Sequence, residues 1–127
     1  KGNTKRLHLV SGNPLVNYNK ISLNENTWEA IHNGMREVVY APKGTGRLSN
    51  PKISGVDVFG KTGTAENPHG ETHAWYIGYA LNQNGDMVSV VILVENGGGG
   101  GSVASPIAAK IFKEYFNNKN IKLANNQ

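Results

Sequence analysis

Cysteine is absent from this chain, which excludes a disulfide frame and any thiolate metal site while leaving the cellular compartment open. Long apolar runs are missing too: none approaches the roughly 20 residues needed to cross a bilayer. Nor is there a block of one charge. Thirteen Lys+Arg against nine Asp+Glu give a net charge of +4, and the basic residues are scattered, with only Lys5 and Arg6 adjacent. A nucleic-acid surface needs clustered cations interleaved with aromatics, so nucleic acid is excluded as a partner and a mild preference for anionic ligands remains. Internal repeats are lacking. What is present is a globular composition, 38% hydrophobic and 17% charged over 127 residues, rich in glycine and asparagine. That is enough chain for one core and little for an enzyme built from several separate motifs, so the sequence reads as one domain or part of one.

Along the chain, Leu7 to Val10 reads as a brief extended piece ended by the turn residues Ser11-Gly12-Asn13-Pro14. From Ser22 the pattern becomes helical. Ser22-x-x-Glu25 is a capping box, and Trp28, Ile31, Met35, Val38 and Val39 recur at helical spacing, predicting a helix over 24–40. Gly34 inside it suggests close packing or a bend. Residues 42–55 are loop. Val56, Val58 and Phe59 open a strand over 56–66, Ala74 to Ala80 makes a second, and Asn84-Gly85 signals a hairpin into a third, Met87 to Val94, whose near-continuous apolar run predicts a central strand covered on both faces. Together they form an antiparallel meander. The five glycines Gly97–Gly101 read as a flexible connector, and without a following Lys-Ser/Thr they do not make a phosphate loop. Val103, Ile107, Ile111 and Tyr115 then recur every four residues, widened by Ala108, Phe112 and Phe116. They predict a helix over 103–116, capped at Ser102 or Ser105, that packs on the sheet, with a polar tail from Asn117 that frays. The fold class is α+β.

The chemistry centres on Gly60–Glu66, GKTGTAE. On a strand, Thr62 and Thr64 share one face and Lys61 takes the other. Two hydroxyls and an ammonium can grip a carboxylate and move a proton. Gly63, without a Cβ, lets a substrate backbone lie alongside as an added strand, and the Thr64 N–H is a candidate oxyanion donor. A nucleophile is harder to find. Ser49-Asn50-Pro51-Lys52 matches S-x-x-K literally but lacks the helix that would bring the amine one turn along to the hydroxyl, and Ser11-Gly12-Asn13 matches S-x-N within a turn; both are read as chance matches. His69-x-Glu71-x-His73 is the tightest histidine cluster. Its spacing is not H-E-x-x-H and it contains Gly70, so His69 reads as a loop residue, His73 as a strand start, and no metal or cofactor is expected.

The order of a helix with Gly34-Met35, a loop with Gly44-Thr45-Gly46, then GKTGTAE, HAWYIGYA and VSVVILVENGGGGGSVASPIA resembles the C-terminal part of the transpeptidase domain of class B penicillin-binding proteins, most closely the elongation-type penicillin-binding protein 2 subfamily, from about Leu7 to Phe116. The resemblance implies a five-stranded antiparallel sheet flanked by helices, of which this chain would hold the last three strands and the last helix. It implies a D-alanyl-D-alanine transpeptidase of the bacterial cell envelope, anchored at the plasma membrane, that cross-links peptidoglycan stem peptides and is acylated by β-lactams. Lys61 would then assist proton transfer with the S-x-N serine, Thr62, Gly63 and Thr64 would bind substrate, and the Thr64 N–H would complete the oxyanion hole. In that family S-x-x-K and S-x-N lie upstream of the KTG strand, so residues 1–127 are expected to be the C-terminal portion of one domain, inactive alone, partnered by the N-terminal portion and prone to dimerise or swap through uncovered edges. A non-catalytic peptide- or β-lactam-binding sensor and a serine β-lactamase-type fragment are the alternatives.

Overall fold

The computed structural model describes residues 3–4 and 19–124, with side chains over 20–118. The extended piece at 7–10 and the S-x-N match at 11–13 lie outside the described residues. The chain divides into two units, Lys1–Ile31 and His32–Gln127. In the first, β1 (Asn3–Thr4) pairs antiparallel with β2 (Asn19–Lys20), and α1 (Glu25–Tyr40) begins. The cap of α1 is not the expected Ser22 box. Asn24 Oδ1 accepts from the Thr27 N–H at 2.8 Å, satisfying a first-turn donor two residues further along.

The second unit takes the end of α1, where Val39 is the helix's buried residue, and adds β3 (Val56–Ala65), β4 (His73–Asn82), β5 (Met87–Val94) and α2 (Ser105–Ala124). Gly34 has open space where a Cβ would stand, so close packing is not its role. The sheet order is β3-β4-β5, antiparallel throughout, with Gly60 opposite Gly78 and Leu81 opposite Met87. Around the β4–β5 turn, Asn82 Oδ1 accepts from the Asn84 and Asp86 N–H groups, and Gly85 takes the left-handed φ of +83°.

The core lies between one sheet face and α2: Val58, Tyr76, Ala80 and Ile92 on the strands meet Ala104, Ala108, Phe112 and Phe116. This shifts the expected helix stripe by one position. Ile107 and Ile111 are exposed, because Ala104 and Ala108 give the smoother surface on which a helix can approach a sheet closely. The helix also runs through Asn117 to Ala124 rather than fraying at its polar tail. Its start differs as well. Gly100–Ala104 forms a π-turn in which the Ser105 N–H and Oγ both turn back to the Gly100 carbonyl, while Ser102 Oγ donates to the Gly99 carbonyl, so neither serine acts as an N-cap. Nor is the glycine run a loose connector, since Gly100 is buried. Among the described residues the other sheet face is covered only in part: His32 of α1 packs there against Phe59 and Tyr79, with ring centroids 5.9 and 6.2 Å apart. Trp75, Ile77, Val91 and Leu93 are exposed, and among the described residues β5 lies at the edge of the sheet with Ile92 as its buried residue, not the doubly covered central strand its composition suggests.

Tyr76 lies across the Gly60–Gly78 pair. A Cβ at Gly60 would fall 2.1 Å from its hydroxyl oxygen, and one at Gly78 2.7 Å from the same atom. The cleared path lets the hydroxyl donate to Ser49 Oγ at 2.9 Å, which in turn donates to the Gly46 carbonyl at 2.7 Å. Burial raises the Tyr76 pKa above the ordinary tyrosine value of 10.0; the Ser49 bond offsets part of this and nearby Tyr40 adds to it. Because the folded state holds the neutral phenol more tightly, this contribution to stability is complete below about pH 10 and is lost as pH rises through the raised folded value. Tyr76→Phe is therefore expected to cost about 1 kcal/mol near neutrality and to flatten the alkaline limb, so that denaturant midpoints of the two proteins converge only as pH rises above about 10. Parallel curves would show that folding does not raise the Tyr76 pKa.

Candidate functional site

The direction of each backbone group on β3 follows from two hydrogen bonds. The Asn82 N–H donates to the Asp86 carbonyl, so even-numbered residues of β4 bond towards β5, and the uniform register then leaves even-numbered residues of β3 unbonded to β4. The Val58 N–H agrees, donating to the Tyr40 hydroxyl at 3.1 Å. Gly60, Thr62 and Thr64 therefore turn their N–H and C=O groups to the outer edge of the sheet. This is the edge on which an extended peptide can add as a strand.

The side chains divide as the alternation predicts. Thr62 and Thr64 lie on the face of Val58, and Lys61 on the other. Lys61 Nζ curls round the edge and donates to the Thr62 carbonyl, which brings the ammonium to the same rim as the free backbone groups. Thr62 is buried, its hydroxyl 2.7 Å from that of Thr45, and Thr64 Oγ1 accepts from the Gly100 N–H at 3.4 Å. Gly63 sits opposite Trp75, with the Gly100 turn packed on that pair.

Thr45 is the residue that motif reading passed over. It lies between two glycines that the fold needs: a Cβ at Gly44 would meet the Val38 carbonyl at 2.4 Å, and the Gly46 N–H donates to that same carbonyl. The Tyr76–Ser49–Gly46 chain fixes this turn from beneath, so Thr45 reaches Thr62 because of contacts 27 residues apart. Its legible signal was a hydroxyl flanked by glycines. Ser49, the literal S-x-x-K serine, is fully buried with its hydroxyl committed at both ends, and Lys52 stands in a turn at φ +56° rather than one helical turn along. No substrate carbonyl can reach that oxygen.

Between β3, the Gly44–Lys52 segment and the glycine run opens a cleft of about 750 Å³, with Thr62 and Thr64 on one wall and Gly99–Ser102 on another. The loop after β3 is stitched to that run. The Asn96 N–H donates to His73 Nδ1 at 3.0 Å, Asn67 Nδ2 to Asn96 Oδ1 at 2.8 Å, and the Gly98 N–H to the Thr72 carbonyl at 2.8 Å. His73 thus starts β4 and serves as an acceptor within this stitching.

A β-edge rimmed by an ammonium and two hydroxyls has the chemistry to hold the extended end of an anionic peptide. The chain belongs to the penicillin-binding protein transpeptidase domain family, whose model matches residues 1–113. Among curated proteins it is 38% identical to the peptidoglycan D,D-transpeptidase MrdA of Haemophilus influenzae, over 84% of this chain and 18% of that protein. It is 46% identical to the peptidoglycan D,D-transpeptidase PbpA of Mycolicibacterium smegmatis, over 43% of this chain and 13% of that protein. Among solved structures it is similar to penicillin-binding protein A from M. tuberculosis in an imipenem acyl-enzyme complex, with a TM-score of 0.64 and 26% identity over 90% of this chain and 27% of that one. The chain thus spans about a fifth of the length of MrdA. The three-stranded antiparallel sheet and its flanking helices match the fold of that structural neighbour.

Proposed function

We propose that this chain supplies the substrate-binding strand of a serine D,D-transpeptidase that cross-links peptidoglycan stem peptides and is acylated by β-lactams. The outward-facing backbone edge at Thr62 and Thr64, flanked by Lys61, carries this reading. A stem peptide would add antiparallel to β3, its terminal carboxylate meeting the Thr62 and Thr64 hydroxyls. The Thr64 N–H would donate to the oxyanion as the acyl bond breaks, and Lys61 would hold the proton-transfer partners at the rim. The names of MrdA and PbpA and the imipenem acyl-enzyme of the structural neighbour support the assignment. With Ser49 enclosed, the nucleophilic serine is assigned to residues outside these 127, and the parent protein to the outer face of the plasma membrane.

Labelling with a fluorescent penicillin tests this. The isolated 127-residue chain should stay unlabelled, whereas the parent transpeptidase should carry one stable adduct on a serine outside this chain. Stable acylation of the isolated chain would overturn the assignment of the nucleophile. A parent protein that binds penicillin reversibly, without an adduct, would point instead to a sensor, and one that releases hydrolysed drug rapidly would point to a β-lactamase.

A further inference from the structure

The cleft beside β3 is larger than a terminal carboxylate requires, and its charge is of one sign. Arg47 and Lys52 are the charged residues in its lining, and both are cations. Among the described residues neither forms an ion pair. Both sit on the segment that follows the Thr45 turn, away from the strand that carries Thr62 and Thr64. Arg47 is held by a bond from Nη1 to the Pro42 carbonyl at 3.1 Å, which leaves its other N–H groups available. Lys52 occupies the left-handed region at φ +56°, a costly conformation for a residue with a side chain, and its N–H is fastened to Asn50 Oδ1 at 2.8 Å. Leu48, 57% exposed, also lines the cleft between them in sequence. An apolar surface beside two unpaired cations suits a side chain with an aliphatic stem and an anionic end.

We propose that Arg47 and Lys52 form a cationic subsite that binds a second carboxylate on the ligand, so that the site selects peptides bearing an acidic side chain near their terminal carboxylate. This rests on the transpeptidase reading above, because it takes the first carboxylate to lie at Thr62 and Thr64. Leu48 packs the methylene stem of the acidic side chain, while Arg47 and Lys52 pair with its charge from an exposed wall. The attraction is therefore sensitive to salt.

The test uses the parent transpeptidase and two synthetic thioester peptides of equal length ending in a free carboxylate, one with a neutral side chain and one with an aliphatic side chain ending in a carboxylate. The acylation rate constant should favour the diacid by about five- to tenfold at low ionic strength, and the preference should shrink in high salt. In the Arg47→Gln, Lys52→Gln double variant the ratio should fall to within about twofold, and in Arg47→Lys, Lys52→Arg it should largely persist. A ratio unchanged by removing both charges, or a wild type that does not distinguish the two peptides, overturns the subsite while leaving the transpeptidase reading standing. Failure of both peptides to acylate the wild type removes both. A double variant that no longer accepts the neutral peptide, together with a charge-preserving variant that has also lost the preference, would show a structural role for these side chains and would overturn the subsite.

Discussion

Replacing Gly100 by alanine is expected to destabilise the domain by about 3 kcal/mol, at the upper end of what overpacking usually costs. A Cβ there would stand 2.3 Å from the carbonyl oxygens of both Gly63 and Trp75 and 3.0 Å from the Gly63 nitrogen. These are backbone atoms of a paired position in the sheet, so no rotamer change can relieve the overlap. Either the π-turn lifts, carrying α2 off Ala74 and Tyr76, or β3 moves at the triplet proposed to bind substrate. The same substitution should therefore slow penicillin acylation of the parent protein. Its neighbours provide the controls. At Gly99 a Cβ meets only the Ser102 hydroxyl, at 3.2 Å, a side-chain end that can give by a few tenths of an ångström, so alanine should cost a few tenths of a kcal/mol. Gly98 has open space but a φ of +78°, so alanine should cost about 1 kcal/mol through strain alone. Denaturant unfolding of the three variants should give that order. A Gly100→Ala loss below about 1 kcal/mol would show that the turn can be displaced without disturbing the sheet.

Lys61→Met is expected to leave stability within about 0.5 kcal/mol of the original, because the side chain is exposed and its bond is to the Thr62 carbonyl at the rim. Acylation should nevertheless fall by about 10² to 10⁴, the range for a positioned group in proton transfer and charge stabilisation. The methylene stem is retained, so the comparison isolates the ammonium. Single-turnover acylation by a chromogenic β-lactam, with the unfolding midpoint measured on the same samples, separates the two effects. Near-normal acylation would make Lys61 an ordinary residue of an edge strand and move the proton chemistry elsewhere.

Sequence reasoning located the elements better than it located their surroundings. Strand ends were legible because β-branched and aromatic runs here stop at Asn, Pro and Gly, and the Thr62/Thr64 against Lys61 division followed from the two-residue alternation of any strand. Which strands are covered was not legible. The Met87–Val94 run is apolar on both sides, and composition cannot say that only the Ile92 side meets a helix. The face of α2 was misplaced for a related reason. Isoleucines dominate a hydrophobicity pattern, whereas contact distance is set by the alanines at 104 and 108. The glycine run was misjudged because a lack of side chains signals freedom in sequence and tight contact in three dimensions. The candidate site divides the same way. The triplet is contiguous and readable, while Thr45, Arg47 and Lys52 join it only through the turn pinned by Ser49 and Tyr76, which local pattern does not report.

The Tyr76 ring lying over Gly60 and Gly78 has a consequence for strand alignment. Sliding β3 along β4 by two residues would keep every side chain on its proper face, so inside–outside alternation alone does not forbid it. Such a slip would place Val58 or Thr62 opposite Gly78 in place of Gly60, and the ring would meet a side chain where it now meets none. The glycine pair acts as a keyway and the tyrosine as its key. Of the neighbouring alignments it admits one, and that is the alignment which sets Thr62 and Thr64 beside the Thr45 turn and the Gly100 turn.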